Sequence, residues 1–251
     1  MITLSKFKNH PFAVKAFFET SLVLTFAVPK NEIENLIPEC LELDLFADQW
    51  AFIAVAMVQT KNLRPKSFPK LLGNDFFLIG YRVFVKYQTS SGKRLRGLYI
   101  LKSETDTKRM ALIGNIFTHY NYKSTDVYQD DNLIISKKSD LKVNYHLASE
   151  VALPLNSPFC NWKEARRFAG PLPFTFTYNE STKEVLIIQG IRDNWKPKPI
   201  SIDNYHVGFL NKLGLNNPVL ASAFIINNIP YHWEKGKIDL WKQKEETFKV
   251  Y

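Results

Sequence analysis

The sequence predicts a single α+β domain that spans residues 1–251 and consists mainly of antiparallel strands with a few short helices. Runs of alternating apolar and polar residues, bounded by turn-forming residues, dominate the chain. The composition agrees, because 19 Phe and 11 Tyr among 251 residues favour strands and an aromatic-lined interior. No internal repeat and no low-complexity linker divides the chain, which favours one domain.

The first half of the chain is predicted to be a succession of strands with one short helix. That helix is expected at Pro29–Ile37, with the proline in its first turn and its apolar side chains on one face. The basic, proline-containing segment Lys61–Asp75 is expected to be an exposed loop, and Ser90–Lys93 is expected to close a hairpin. The predicted strands are Ser21–Val28, Leu41–Phe46, Trp50–Thr60, Phe76–Thr89 and Arg94–Ser103.

The second half of the chain mixes helices with pairs of strands. Lys108–Phe117 has helical periodicity, and Ser103 or Asp106 is expected to cap it. A shorter helix is predicted at Asn161–Phe168 and is expected to end near Gly170. The predicted strands are Asp126–Lys137 with Asp140–Ala148, Phe174–Tyr178 with Glu184–Arg192, and the apolar segment Pro218–Trp233.

Charge and apolar patterning restrict the location and the partners. The net charge is +9, but no zinc-finger, basic-zipper or RRM signature accompanies the scattered basic residues, so nucleic acid is the least favoured partner. No apolar run reaches the ~20 residues that a membrane-spanning helix needs, and residues 1–15 lack a secretory apolar core. The two cysteines, Cys40 and Cys160, are expected to be reduced, which favours a cytoplasmic protein.

The segment Gly114–Lys123 concentrates chemically versatile side chains directly after an apolar run. It places His119, Tyr120, Tyr122 and Lys123 within one short stretch. Where such groups border buried sequence, desolvation can shift their pKa values, and this combination is typical of pocket walls. The segment therefore predicts one wall of a ligand pocket.

Two segments together resemble the acetoacetate decarboxylase-like superfamily. Pro38–Asp44, with the sequence P-E-C-L-E-L-D, is similar to the superfamily's P-E-P-L-E-hydrophobic-D turn from helix to strand. Gly114–Lys123 is similar to its G-R-E-L-S-A-Y-P-K-K run, with Thr118 matching Ser and Tyr120 matching Tyr. The resemblance is strongest to an uncharacterised bacterial branch. It implies a curved, cone-like sheet or β-barrel around a central pocket, and assembly into homo-oligomers.

The resemblance also implies imine chemistry, and the chain departs from the motif at the residues that would perform it. In the superfamily's enzyme a lysine amine attacks the ketone of a β-keto acid, and the protonated imine accepts electrons as carbon dioxide leaves. Aligned without gaps, the imine-forming lysine corresponds to Tyr122 and the second lysine to Lys123, while the motif's Arg and Glu correspond to Asn115 and Ile116. A phenol forms no imine, so decarboxylation by this mechanism is not expected.

Three residues of this segment are the candidates for catalysis: Lys123, His119 and Tyr122. Lys123 would enter the pocket if the strand register slips by one residue or if a bend re-aims it, whereas a regular strand turns it to solvent. His119 could act as a general acid or base near neutral pH, or hydrogen-bond the backbone within an aromatic cluster. Asn115 and Tyr120 are expected to contact the ligand, Tyr120 as part of the aromatic lining.

Two arginines outside this segment complete the predicted ligand-binding residues. Arg82 alternates with apolar neighbours in a strand, so it either faces inward and requires an anion or lies exposed at a sheet edge. Arg166 lies beside Arg167 at a helix end, where it either holds a ligand carboxylate or faces solvent. Zinc-type spacing of His and Cys and nucleotide-binding glycine motifs are both missing from the sequence, so neither a metal nor a cofactor is predicted.

These observations leave three functional hypotheses. The preferred one is a protein of this superfamily that binds a small carboxylate-bearing or aromatic molecule in its central pocket, without decarboxylase activity. The second is a lyase- or hydrolase-like enzyme on small keto acids or lactones that uses Lys123 or His119 with Tyr122. The third is a basic nucleic-acid-binding protein, which only the net charge of +9 supports.

Overall fold

The computed structural model describes residues 4–170, 172–193 and 195–242, so both predicted ends of the domain lie outside the described residues. The predicted fold class, mainly antiparallel strands with a few short helices, is confirmed. No helix in these three ranges is long and apolar enough to cross a membrane.

The strands are β1 (Val14–Pro29), β2 (Glu42–Leu43), β3 (Trp50–Pro65), β4 (Asn74–Gln88), β5 (Arg94–Thr105), β6 (Tyr122–Ser124), β7 (Tyr128–Asp130), β8 (Leu133–Ser136), β9 (Leu141–His146), β10 (Phe174–Asn179), β11 (Glu184–Arg192), β12 (Lys198–Pro199), β13 (Ser201–Val207), β14 (Val219–Trp233) and β15 (Lys237–Leu240). The α-helices are α1 (Lys30–Ile33), α2 (Lys108–Phe117), α3 (Trp162–Phe168) and α4 (Gly208–Lys212), and short 3₁₀ helices lie at Leu4–Asn9, Glu34–Leu36 and Lys70–Leu72.

Seven of these strands form a closed ring within the larger of two sheets. Their hydrogen-bonded order is β14–β1–β3–β4–β5–β10–β11, and β11 pairs with β14 again through Gly190–Arg192 and Tyr231–Trp233. Neighbours in the ring are antiparallel except β5 and β10, which run parallel. Closure gives the sheet an inner and an outer face, and successive residues of each strand alternate between them.

The outer face of the ring carries the largest hydrophobic core. Leu24 of β1 and Val55 of β3 are register partners on this face and are fully buried. The second sheet, in the order β13–β9–β8–β7, and helices α1 and α4 pack against them, and Ile33, Val143 and Leu210 join the same cluster. Burying a side chain of this size contributes about 1.5–3 kcal/mol relative to exposure. This layer holds the ring closed from outside and leaves the inner face available for a site.

Several predicted strand boundaries were wrong, because pairing between strands extends or divides local patterns. The predicted loop Lys61–Asp75 is partly strand: β3 continues to Pro65, and Arg64 pairs with β1. The predicted strand Asp126–Lys137 is divided into β7 and β8, which form a hairpin of their own. The predicted strand Leu41–Phe46 is reduced to β2, which pairs with β4 for only two residues.

The predicted N-cap of α2 was also wrong. Thr107 caps the helix, since its side-chain oxygen accepts a hydrogen bond from the backbone N–H of Met110 at 3.3 Å. Asp106 instead accepts from the backbone N–H of Phe77 at 2.8 Å, and Ser103 lies within β5. The tertiary contact with β4 therefore uses the carboxylate that the local pattern assigned to the helix.

Asp44, the last residue of the segment Pro38–Asp44, joins that segment to two strands of the ring. Its carboxylate is 2% exposed and lies 2.7 Å from Nζ of Lys86 on β4 and 2.6 Å from Nε of Arg96 on β5. Its backbone N–H donates to the carbonyl oxygen of Phe84 at 3.0 Å. A buried carboxylate with two cationic partners fixes the turn in one position.

We predict that Asp44→Asn destabilises the fold by about 2–4 kcal/mol, because it leaves two cations beside a neutral amide. The loss is smaller than in a fully buried pair because Arg96 is 40% exposed. The matched control is Glu42→Gln, which removes an ion pair between exposed side chains, with Glu42 59% and Arg94 62% exposed. This change should lower the free energy of unfolding by under about 1 kcal/mol. Urea denaturation measures both changes, and equal losses would contradict the structural role of Asp44.

Candidate ligand-binding site

The inner face of the ring encloses a cavity of about 140 Å³. Ala56, Gly80 and Ser103 are register neighbours on β3, β4 and β5, and their small side chains leave this space unfilled. Val23 and Tyr122 extend the same row on its two sides. The lining comes from every strand of the ring, from β6, from the segment around α3 and from the segments that precede β6 and β12: Phe18, Ser21, Val23, Thr25, Ala54, Ala56, Val58, Leu78, Arg82, Phe84, Leu98, Ile100, Ser103, Tyr120, Tyr122, Arg166, Ala169, Gly170, Leu172, Thr175, Arg192, Trp195, Pro197, Phe224, Ile226, Tyr231 and Trp233.

Arg82 faces this cavity from β4. It lies deep in the protein yet keeps part of its surface accessible, because that surface borders the cavity. A register shift at Tyr81–Arg82 and the absence of a side chain at Gly80 make room for it, since a Cβ on Gly80 would lie 2.8 Å from Nη2 of Arg82. Burial lowers the pKa of Arg82, and the groups that oppose this shift are tyrosines, not carboxylates. Arg82 therefore presents to the cavity a positive charge that has no carboxylate partner among the described residues.

Arg192 of β11 supplies a second cation to the same cavity. Its guanidinium carbon lies 4.2 Å from the ring centre of Trp195 and 5.4 Å from that of Tyr231. One of its N–H groups donates to the carbonyl oxygen of Leu172 at 3.3 Å. Desolvation lowers the pKa of Arg192, and the nearby charge of Arg82 acts in the same direction. Two positive charges thus share one enclosed region, where their repulsion is weakly screened.

The polar groups of the lining are donors without a matching anion. Nε1–H of Trp195 is buried and has no hydrogen-bond acceptor among the residues described. Within the same part of the chain, no aspartate, glutamate or lysine belongs to the lining. Arg166, from the last turn of α3, adds a third guanidinium to the lining, and its side chain is exposed. No group of three or more His, Cys, Asp or Glu residues suited to a metal ion occurs in the described ranges.

Tyr120 and Tyr122 line the cavity with ring centres 6.2 Å apart. Asn115 positions the second ring, because its side-chain oxygen accepts from the backbone N–H of Tyr122 at 2.7 Å and its amide donates to the carbonyl of Tyr122 at 3.0 Å. Burial raises the pKa of both phenols, to about 12 for Tyr122, where the charge of Arg82 opposes the shift. Both hydroxyls therefore stay protonated at neutral pH and can donate to a ligand.

Asn115, His119 and Lys123 do not belong to the cavity lining. Asn115 uses its amide on the backbone of Tyr122, as described above. The side chain of Lys123 is exposed, since in β6 it alternates with the inward-facing Tyr122. Nε2 of His119 lies 2.9 Å from Oδ1 of Asn9, and burial lowers the pKa of His119, so its ring is neutral at pH 7. The structure thus separates these three residues from the two tyrosines beside them in sequence.

Arg192, Trp195 and Tyr231 were not among the residues predicted from the sequence. Arg192 ends the apolar strand β11 in the way that Arg82 interrupts β4, so the same pattern could have selected it. A second signal lies in β3, where outward positions hold large side chains such as Val55 but inward positions 54 and 56 are alanine. Small residues on one face of a buried strand indicate a space that its own side chains do not fill.

The fold of this chain is similar to that of acetoacetate decarboxylase-like structures. An acetoacetate decarboxylase from Legionella pneumophila has a TM-score of 0.57 at 11% identity, over 91% of this chain and 87% of that chain. The enduracididine biosynthesis enzyme MppR, complexed with the condensation product of pyruvate and imidazole 4-carboxaldehyde, gives 0.56 at 8% identity, over 92% and 91%. An acetoacetate decarboxylase-like enzyme from Sphingomonas wittichii gives 0.56 at 9% identity, over 93% and 94%. Identities this low show a shared fold alone.

The chain belongs to the DUF2071 family, which is described as an uncharacterized conserved protein. The family model matches residues 16–226, a range that runs from within β1 to the middle of β14. The comparison with curated proteins gave no significant match. The predicted resemblance to the acetoacetate decarboxylase-like superfamily is therefore confirmed as a likeness of fold.

The contact between Gly114 and Tyr122 in the cavity wall can be tested by substitution. Cα of Gly114 packs against the ring of Tyr122, so an added methyl group would overlap that ring. We predict that Gly114→Ala destabilises the protein by about 1–2 kcal/mol, although alanine usually favours a helix interior by about 1 kcal/mol over glycine. In a Tyr122→Ala background the same substitution should stabilise. Urea denaturation of the four proteins gives the coupling free energy, and additive effects would show that the ring does not lie against α2.

Proposed function

We propose that the protein binds a small molecule with a carboxylate and an apolar or aromatic part in the cavity of the ring, without imine catalysis. The observation that carries the proposal is Arg82, a deep guanidinium without a carboxylate partner among the described residues. Removing an unpaired charge from water costs on the order of several kcal/mol, so a bound anion would complete the site.

A carboxylate matches the donors that this cavity offers. The planar guanidinium of Arg82 can make two parallel hydrogen bonds to one carboxylate. Arg192 and Nε1–H of Trp195 line the same space, and the phenols of Tyr120 and Tyr122 add donors without adding charge. The surrounding aromatic and aliphatic side chains favour an apolar group next to the carboxylate. A structure of MppR with the same fold is complexed with pyruvate, which is a carboxylate.

The lyase- or hydrolase-like alternative has less support. Imine formation requires an amine within reach of a bound ketone, but Lys123 is exposed and does not line the cavity. His119 lies beside Asn9 instead of the cavity, so a role as general acid or base there has no geometric support. For the nucleic-acid alternative, the net charge of +9 remains the sole argument. We place the proposed binding function in the cytoplasm, since Cys40 and Cys160 are free thiols.

The central test is Arg82→Met, a change of similar length that removes the charge. We expect benzoate and phenylacetate to bind the unaltered protein, and the variant to bind them about 10- to 100-fold more weakly, as for loss of a charged hydrogen bond. The variant without ligand should be at least as stable as the unaltered protein, because an uncompensated buried charge is gone. Isothermal titration calorimetry and urea denaturation measure the two effects.

The matched control is Arg167→Met on α3, which removes an exposed guanidinium outside the cavity lining. It should leave both affinities unchanged. Inorganic phosphate is included as a non-carboxylate anion, and we expect weaker binding because it lacks an apolar part. Absence of binding by every carboxylate, or equal affinities of the Arg82 and Arg167 variants, would refute the proposal.

The absence of imine catalysis has its own test. We expect no mass increase when the folded protein is incubated with acetoacetate or pyruvate and reduced with borohydride, because no lysine of the described residues lines the cavity. Intact-mass spectrometry reads out the reduced adduct, and a working acetoacetate decarboxylase serves as the positive control. A stable adduct mapped to Lys123 would reverse this part of the proposal and favour the enzymatic alternative.

A further inference from the structure

A second cavity, also of about 140 Å³, adjoins the first. It lies between α2 and the neighbouring parts of β3 and β4, and it is termed the rear chamber. Met110, Ile113 and Phe117 of α2 form one wall, and Phe12 and Phe76 belong to the others. The lining is largely apolar and so accepts apolar groups. Two buried polar atoms of lining residues, Nδ1 of His10 and Oγ1 of Thr60, have no hydrogen-bond partner among the residues described.

The rear chamber and the ring cavity share a partition of side chains. Phe18, Leu78, Tyr120, Tyr122 and Trp233 line both spaces. The two tyrosine rings are 6.2 Å apart at an angle of 56°, so they do not form a closely stacked pair. Because Gly114 and Asn115 hold Tyr122 in place, connection of the two spaces requires rotation of the ring of Tyr120.

The rear chamber offers no free charge to a ligand among the residues described. The guanidinium of Arg64 is occupied, since Nε donates to the carbonyl of Phe68 at 3.1 Å and Nη1 donates to that of Asn62 at 2.7 Å. His10 is 6% exposed, and burial lowers its pKa, so its ring is neutral at pH 7. The two adjoining spaces thus differ in character: one holds unpaired cations and the other attracts hydrocarbon.

We propose that the two spaces form one elongated site for an amphipathic monocarboxylate. The carboxylate pairs with Arg82 and Arg192, and an unbranched alkyl tail passes between Tyr120 and Tyr122 into the rear chamber. The inference rests on the proposed function and adds the ligand class, a carboxylic acid with a hydrocarbon tail instead of a short keto acid. Transfer of the tail from water into the rear chamber is favourable, and the carboxylate is stabilised only beside the two arginines. The ligand therefore binds in a single orientation.

Calorimetric titration of the full chain with straight-chain carboxylates from butanoate to decanoate tests this inference. Each methylene group that enters the rear chamber should tighten binding about fourfold, until the chamber is full and the affinity levels off. Affinities independent of chain length that still fall in Arg82→Met would overturn the inference and leave the proposed function standing. Absence of binding by these acids and by the aromatic acids above would overturn both.

Ile113→Trp provides the structural test, because it fills the rear chamber from α2. It should weaken decanoate binding at least about tenfold and leave butanoate binding unchanged. The matched control is Leu112→Trp at the adjacent position, which is 65% exposed and outside the lining. Ile113→Phe adds less volume and replaces Ile113→Trp if that variant does not fold. In Ile113→Phe the affinity should level off at a shorter acid than in the unaltered protein. Equal decanoate affinities in the variants at 113 and 112 would refute the inference.

Discussion

Closure of the ring by β11 and β14 is the constraint on which the cavity depends. β14 pairs along its length with β1, and near its end it pairs also with Gly190–Arg192 of β11. This second pairing brings Arg192 and Tyr231 to the inner face, across the ring from Arg82 on β4. In an open sheet Arg82 would be hydrated and its charge would need no partner. In the closed ring the enclosing strands remove water from the same side chain, and this desolvation is the basis of the anion site proposed above.

Buried charges occur in two kinds of environment in this fold. Where a charge has a structural role it is paired: Asp44 contacts Lys86 and Arg96, and Glu104 lies 2.8 Å from Lys102. In the ring cavity the guanidinium of Arg82 has no such partner among the described residues. A protein that leaves this charge unpaired is less stable without a ligand, and ligand binding then offsets the cost by mass action. Stability and binding are therefore coupled at this residue.

In the segment Gly114–Lys123, the resemblance to the superfamily motif aligns Tyr122 with the motif's reactive lysine. Asn115 holds both backbone polar groups of Tyr122, and Gly114 leaves room for its ring. The position that the resemblance gives to an imine-forming lysine is therefore occupied by a fixed aromatic ring. That ring offers a hydrogen-bond donor and a partition between two spaces, whereas a lysine would offer a nucleophilic amine.

The sequence by itself determined the fold class, the helix Lys108–Phe117 and the main hairpins, because strand and helix periodicities and turn residues are local signals. It also selected Arg82, Tyr120 and Tyr122 as candidates. Only the tertiary structure decided which candidates share a cavity and added Arg192 and Trp195, since sheet order and register depend on contacts between distant segments. The tertiary structure also set His119 and Lys123 outside the cavity lining. Asn121, with φ of +50°, turns the chain between them, and the pairing of β6 with β5 fixes which side chains point inward.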